Sequence, residues 1–197
     1  MLGLADPGIP VWLSESSDPR RKLAWSLELV EVDNGAGAAL VGINTALPNR
    51  LVAEALEHGA IPELGGYQTT RREVRYGRNS RVDFLLEAPD RPPCYVEIKN
   101  VHLMRRAGLA EFPDSVTARG ARHLAELTEV VRQGYRAVSL FVVQRPDAKA
   151  MSLAADLDPA YAAAFAKSRS AGVETLVYGC DVSCEEIALR RPLPFQD

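Results

Sequence analysis

Short apolar runs broken by turn residues open the chain. Residues 9–13, 23–32 and 38–44 alternate or cluster β-branched and aliphatic side chains, with Ser/Asp/Pro and Asn34 to Gly37 turns between them, so the spacing predicts three strands. Three strands alone are marginal and require a packing partner. The period then lengthens. Leu51, Val52, Ala55 and Leu56 recur at helical spacing between Pro48 and Gly59, predicting a helix over 48–58 with Glu54 close to its apolar stripe. Residues 72–76 read as a strand and 77–80 as a turn. A second helix fills 118–132, with Asp114 or Ser115 as its cap, Leu124, Leu127 and Val131 as its buried stripe, and Gly134 as its stop. Arg119, His123 and Glu126 share a neighbouring face of it. Residues 136–143 form a continuous apolar run suited to a buried strand, followed by a helix over 159–170 and a strand over 173–178. From Pro48 the order is α, β, β, β, α, β, α, β, which predicts an α/β sandwich on a mixed sheet.

The stretch from Arg81 to Asn100 carries chemistry on top of its pattern. Residues 82–86 and 94–98 are strand-like, and the Pro/Asp-rich piece between them cannot continue a ladder, so the two pair as an antiparallel hairpin. Asp83 and Glu97 each lie seven positions from Asp90. Pairing symmetric about that turn sets them opposite each other, with β-carbons roughly 5 Å apart. Facing carboxylates repel unless a cation or solvent separates them. Lys99 projects from the same face, while Val82, Phe84, Leu86, Cys94, Val96 and Ile98 alternate onto a core face. Asp, thirteen residues, then Glu-x-Lys on a hairpin resembles the PD-(D/E)xK nuclease superfamily, in which the acids hold magnesium and the lysine serves the attacking water; Val82 stands where the name has proline. Phosphodiester hydrolysis needs a positioned water and a screen for charge on the phosphate, which Mg2+ or Mn2+ held by hard oxygens provides. The same three residues also fit the solvated face of an ordinary hairpin, and spacing alone leaves both readings open.

Composition narrows the setting. The chain has 197 residues, 47% apolar and 25% charged, and suits one large domain or two small ones. No run approaches the ~20 apolar residues of a membrane span, and no basic-then-apolar leader opens the sequence, so a cytoplasmic protein without membrane partners is expected. Three cysteines argue against a disulfide framework, and Cys180 and Cys184, at a loose metal-like spacing, are read as spectator thiols. Net charge is only -3, but five arginines (71, 72, 75, 78 and 81) face one acid between Thr69 and Val82, whereas eight acids face five Lys/Arg from Asp147 onward. A basic band beside the hairpin fits a polyanion such as DNA, although arginines also solubilise exposed edges. Arg119 suits a phosphate clamp, and the helix start near Ser115 and Thr117 offers N–H groups to an anion.

A longer resemblance runs through Asn49, Arg50, Leu51 and Glu54, then Arg81 to Phe84, Tyr95 to Val101 and Phe112 to Leu127, and is to the sugar fermentation stimulation protein A (SfsA) family. It implies an N-terminal OB-fold joined to a PD-(D/E)xK-like domain, here a partial OB-like module over 1–46 and the nuclease-like domain over 47–197. The first residues resemble the middle of the family's barrel, and a mis-assigned start codon is the expected reason. The resemblance implies Asp83, Glu97 and Lys99 as the catalytic set. Glu54 is expected as a further metal ligand, with a surface role as its alternative. His123 is expected at phosphate or a metal-bound water, with a structural or solvent-facing role as its alternative, and Arg71, Arg72, Arg75 and Arg119 on nucleic acid. The function implied is DNA binding with metal-dependent hydrolysis; the alternative is a non-catalytic regulator of sugar metabolism. RNA and homo-oligomers stay open.

Overall fold

A computed structural model describes residues 1–35, 37–77 and 80–197; the predicted turn residues Ala36, Arg78 and Asn79 lie outside that description. The first strands are β1 (Val11–Glu15), β2 (Trp25–Asp33) and β3 (Ala38–Gly42), an antiparallel sheet in the order β1-β2-β3. Its small core is Leu4, Val30, Val32, Val41 and Ile43. The opposite face leaves Leu13, Trp25 and Leu27 exposed, and Val11, paired with Val30 on the core face, is exposed at the edge strand. This sheet is tied to the rest of the chain by the Gly42 N–H, which donates to the Gln144 carbonyl at 2.8 Å, and by the Asn34 amide, which donates to the Met104 carbonyl at 3.0 Å. Gly42 is needed there because a β-carbon would lie 2.8 Å from the Gln144 side-chain oxygen.

The remaining elements are α1 (Leu47–Glu57), β4 (Thr69–Tyr76), β5 (Ser80–Ala88), β6 (Arg91–Val101), β7 (Leu103–Arg106), β8 (Leu109–Phe112), α2 (Ala118–Arg132), β9 (Arg136–Val143), β10 (Ala150–Leu153), α3 (Pro159–Ser170), β11 (Glu174–Val182), β12 (Ile187–Pro192) and β13 (Phe195–Gln196). The main sheet runs β12-β11-β9-β6-β5-β4, with β9 parallel to both β6 and β11 and the outer pairs antiparallel. This is the mixed sheet the element order predicts. Residues 137–143 of β9 are buried because helices cover both faces of this central strand. On one face Leu51, Val52 and Ala55 of α1 pack on Phe84, Cys94, Val96, Ile98 and Leu140. On the other, Leu127 and Val130 of α2 pack on Leu85 and Ala137, while Tyr161 and Phe165 of α3 pack on Phe141. Each such fully buried side chain contributes about 1.5–3 kcal/mol.

Several details differ from the pattern-based expectation. Thr117 caps α2, its side-chain oxygen accepting from the Gly120 N–H at 3.0 Å, whereas Asp114 accepts from the N-terminal amine at 2.5 Å and lies 3.3 Å from His102. Val130 replaces the half-buried Val131 in the buried stripe. A second sheet, β13-β10-β8-β7, was not foreseen; its strands have two to four residues, too few to display an alternation. Val82 packs on the α2 side with Leu85 and Leu127, not with Phe84 on the α1 side. Alternation slips at Asp83 because Glu73 opposite it takes a left-handed φ of 53°, uncommon for a side-chain-bearing residue, and drops out of the β4–β5 ladder between the pairs Arg72↔Phe84 and Val74↔Val82.

Candidate active site

Away from the turn the β5–β6 register is the one that symmetry about Asp90 demands: Phe84 pairs with Val96, Leu85 with Tyr95 and Leu86 with Cys94, while nearer the turn it shifts and Ala88 pairs with Arg91. One step beyond the Phe84 pair the ladder gives way. The Ile98 N–H donates at 2.7 Å to the Asp83 carboxylate, and the Asn49 amide from the first turn of α1 donates to the other Asp83 oxygen at 2.9 Å. Asp83 thus stands at a split in the sheet, aimed at the start of α1.

Glu97 and Lys99 project toward α2, as alternation along β6 requires. Both are buried, and the Lys99 ammonium donates to Glu97 Oε1 at 2.8 Å. His123 Nδ1 forms a short hydrogen bond to that same oxygen, while the Arg119 Nε–H donates to His123 Nε2 at 3.3 Å. Nε2 therefore accepts, and Nδ1 carries the proton directed at Glu97. Glu97 Oε1 is fully engaged, whereas its Oε2 is buried with no partner among the described residues. A cavity of about 300 Å³ collects these groups, with Thr45 and Asn49 from one side and Thr117, Arg119 and Gly120 from the other.

The electrostatics separate the two acids. Burial and then the Glu97 charge push the Asp83 carboxyl above its ordinary range, against the opposing Ile98 and Asn49 hydrogen bonds and Lys99. Burial also pushes Glu97 up, but the His123 hydrogen bond and the Lys99 charge outweigh it and hold that carboxyl low. A half-buried and a buried acid of divergent proton affinity make this a candidate site, and an added cation would relieve the Asp83 penalty. The donor set fits a hard divalent ion: two carboxylates, one with an orphaned buried oxygen. Among the described residues no three His, Cys, Asp or Glu gather as a closed metal cage. Such an open pair suits Mg2+, which keeps several waters when bound.

Beside this cleft, and sharing Arg119 and His123 with it, lies a basin of about 750 Å³ lined by Arg75, Arg81, Arg119 and Arg122 against Glu73. Arg75, Arg81 and Arg122 are exposed and form no ion pair among the described residues. Arg71 and Arg72 stand apart from the basin. Arg71 lies 3.5 Å from Glu87, and the Arg72 guanidinium sits 5.5 Å from the Phe84 ring centre. Arg78 lies outside the described residues.

Asp83, Glu97, Lys99, Arg119 and His123 thus come together. Glu54 does not: it is exposed and lines a different cavity with Glu28, Arg50 and Cys184. The group α1 supplies is Asn49, five residues earlier and on another face of the helix. His123 is buried against Glu97 and borders both cavities. The α2 start is less available to an anion than expected, since the Thr117 N–H donates to Asp158 at 2.7 Å and the Gly120 N–H to Thr117. Asp158 also caps α3 through Tyr161 N–H at 2.9 Å, so one buried carboxylate fixes both helices. Asn49, Arg122 and Tyr76 were missed as site residues; the position of Asn49 directly after Pro48 in a helical first turn was the available signal.

An OB-type antiparallel β module followed by an α/β domain on a mixed sheet is the class of protein that this fold defines. Residues 1–43 match the family model described as SfsA N-terminal OB domain, and residues 46–186 match the Sugar fermentation stimulation protein RE domain. The chain belongs to the SfsA family. It is 56% identical over 193 residues to the sugar fermentation stimulation protein homolog of Rhodospirillum centenum, covering 98% of this chain and 81% of that protein. Its identity to the homolog of Chelativorans sp. is 57% over 188 residues, covering 95% and 79%. The structure of Pyrococcus furiosus SfsA in complex with Ca2+ superposes with a TM-score of 0.84 at 27% identity, covering 95% of this chain and 78% of that one. Among the described residues no helix is long and apolar enough to cross a membrane.

Proposed function

We propose that the chain binds DNA through the arginine basin and hydrolyses phosphodiesters at Asp83, Glu97 and Lys99. The observation that carries this reading is the buried, unpartnered Glu97 Oε2 in a cavity that Asp83 also lines and that shares Arg119 and His123 with the arginine basin. Asp83 and Glu97 would hold Mg2+ or Mn2+, which supplies charge screening at the phosphate and a more acidic water. The protein's own groups do the rest. Asn49 and the Ile98 N–H fix the Asp83 carboxylate, and His123 fixes Glu97 by occupying Oε1. Lys99 spends one N–H on Glu97 and has two more for a phosphate oxygen or the attacking water. Arg119 can grip a phosphate with its terminal nitrogens while its Nε–H stays on His123.

One observation favours a second reading, a DNA-binding regulator of sugar utilisation without turnover: the Lys99 ammonium is buried and already paired with Glu97. Labelled DNA incubated with the protein and Mg2+, Mn2+ or EDTA separates the two. Metal-dependent cleavage that falls about 10²–10³-fold in Lys99→Ala, with DNA affinity changed by no more than one ordinary hydrogen bond's worth, supports hydrolysis. Cleavage that survives Lys99→Ala refutes the assigned site. Binding without cleavage of any DNA or RNA supports the regulator.

A further inference from the structure

Next to the arginine basin is a second cavity, of about 910 Å³, that the hydrolytic reading does not use. The two share Arg75, Tyr76 and Arg122 but differ in character. In the basin four arginines oppose Glu73; in the second cavity Arg75 and Arg122 are balanced by Glu126 and Glu129, so it offers no net attraction to a phosphate. What it offers instead is aromatic surface and unspent hydrogen-bonding groups. Tyr95 lines it, 5.8 Å from Tyr76 on one side and 5.8 Å from Tyr135 on the other, a row of three rings of which Tyr135 is exposed. The Tyr76 hydroxyl is buried with no partner among the described residues, and the whole residue is only 9% exposed; Glu126 Oε2 is likewise buried and unpartnered. Gly77 at φ +58° brings the turn backbone close over Glu126, where a β-carbon would lie 3.0 Å from the carboxyl carbon.

A flat π-face beside one donor and one acceptor is what a nucleobase requires, because each base has a stacking face and an edge that mixes carbonyl oxygens with N–H groups. The cavity is placed for it. Tyr95, Glu97 and Lys99 follow one another on the same face of β6, so Tyr95 is about 7 Å along the strand from Glu97, with Arg75 and Arg122 shared by the basin and this cavity. A base stacked in a duplex has no free face to present. Resting on the reading that the arginine basin takes a nucleic-acid backbone, we propose that the Tyr76–Tyr95 cavity holds an unstacked base next to the reacting phosphate. The substrate class is therefore single-stranded DNA or a single-stranded segment flanking a duplex.

Fluorescence anisotropy on the full chain in EDTA tests this, with three labelled probes: (dT)12, a 12-mer of abasic sites with the same backbone charge, and a 12-base-pair duplex. The wild type should bind (dT)12 roughly 5- to 150-fold more tightly than the abasic strand, the range for stacking one base on an aromatic side chain, and more tightly than the duplex. Tyr95→Ala should abolish the preference for bases while leaving abasic binding and its salt dependence unchanged, and Tyr95→Trp should keep it. Equal affinity of the wild type for (dT)12 and the abasic strand overturns the proposal, and needs no variant that could fail to fold. So does tighter binding of the duplex. Loss of metal-dependent cleavage on every substrate with the base preference intact would remove the hydrolytic reading alone. Cleavage with no base preference would remove this inference alone.

Discussion

Replacing Arg75, Arg81 and Arg122 together by alanine isolates the electrostatic part of nucleic-acid binding from the chemistry. All three line the basin, and their exposed guanidinium groups form no ion pair among the described residues. Their removal strands no buried partner, and each substitution should move stability by no more than about 0.5 kcal/mol. Arg119 is left in place because it also holds His123. Each phosphate-binding arginine removed should flatten the slope of log K against log salt by roughly 0.7–0.9, so the triple variant's slope should be shallower by about 2–3. Over a fourfold rise in salt, from about 50 to 200 mM, that difference amounts to roughly 20- to 40-fold: the variant's affinity deficit should be that much larger at the low end than at the high end. Anisotropy titrations across this range with an unspecific oligonucleotide read the slope directly. An Arg71→Ala, Arg72→Ala variant serves as the comparison, since these side chains lie at Glu87 and Phe84, outside the basin. An unchanged slope in the triple variant, or an equal flattening in the comparison variant, would refute the basin as the backbone-binding surface.

Magnesium or manganese at about a hundred times its dissociation constant should stabilise the wild type by about 2.7 kcal/mol in thermal melts, and the Asp83→Asn, Glu97→Gln double variant should show no response; equal responses would remove both acids as ligands. Arg145 is completely buried, forks onto Asp147 with two bonds of 2.7 Å and donates to the His102 carbonyl at 3.0 Å. Arg145→Ala should therefore destabilise by about 3–5 kcal/mol in urea unfolding, and a destabilisation under about 1 kcal/mol would contradict the pairing. Burial holds the His102 imidazole below its ordinary pKa despite the neighbouring Asp114. The unfolded chain then takes up a proton that the native state resists, so this contribution to stability is complete above about pH 6.5 and lost as pH falls through that value. His102→Gln should flatten the pH dependence of the melting temperature there; an unchanged profile would refute the assignment.

The β5–β6 pairing was legible because the two runs are symmetric about Asp90, although the turn itself closes between Ala88 and Arg91 and an irregularity after Leu86 restores the register. The rotation at Asp83 was not, because it depends on Glu73 adopting a left-handed φ that no preference of glutamate announces. Glu54 failed for a related reason. Spacing places an acid on a helix but not the helix's rotation against its sheet, and burial of Leu51, Val52 and Ala55 turns Asn49 to the cleft and Glu54 to another surface. Thr117 displaced Asp114 as a cap because Asp114 is engaged by the chain's amino group and His102, partners reached only across long stretches of sequence. The second sheet escaped because β8 and β10 pair in parallel across a helix and a strand, with four residues each. His123 and Arg119 were found as a pair by helical spacing, yet only packing of α2 on β6 reveals that the imidazole is hydrogen-bonded to the Glu97 carboxylate.

The Ile98 N–H that donates to Asp83 is a backbone group whose protection comes from a side chain. Residues 94–96 of the same strand are paired with β5 on one side and β9 on the other, and exchange with deuterium only when the sheet opens. The Ile98 proton is shielded for as long as one carboxylate keeps its orientation. It is thus a native isotopic clock for the cleft, running faster whenever Asp83 turns toward another partner and requiring no label or substitution to be read. Because the Asn49 amide holds the other Asp83 oxygen, the same clock also registers the first turn of α1, so a disturbance there would reach the middle of the sheet as a change in one exchange rate.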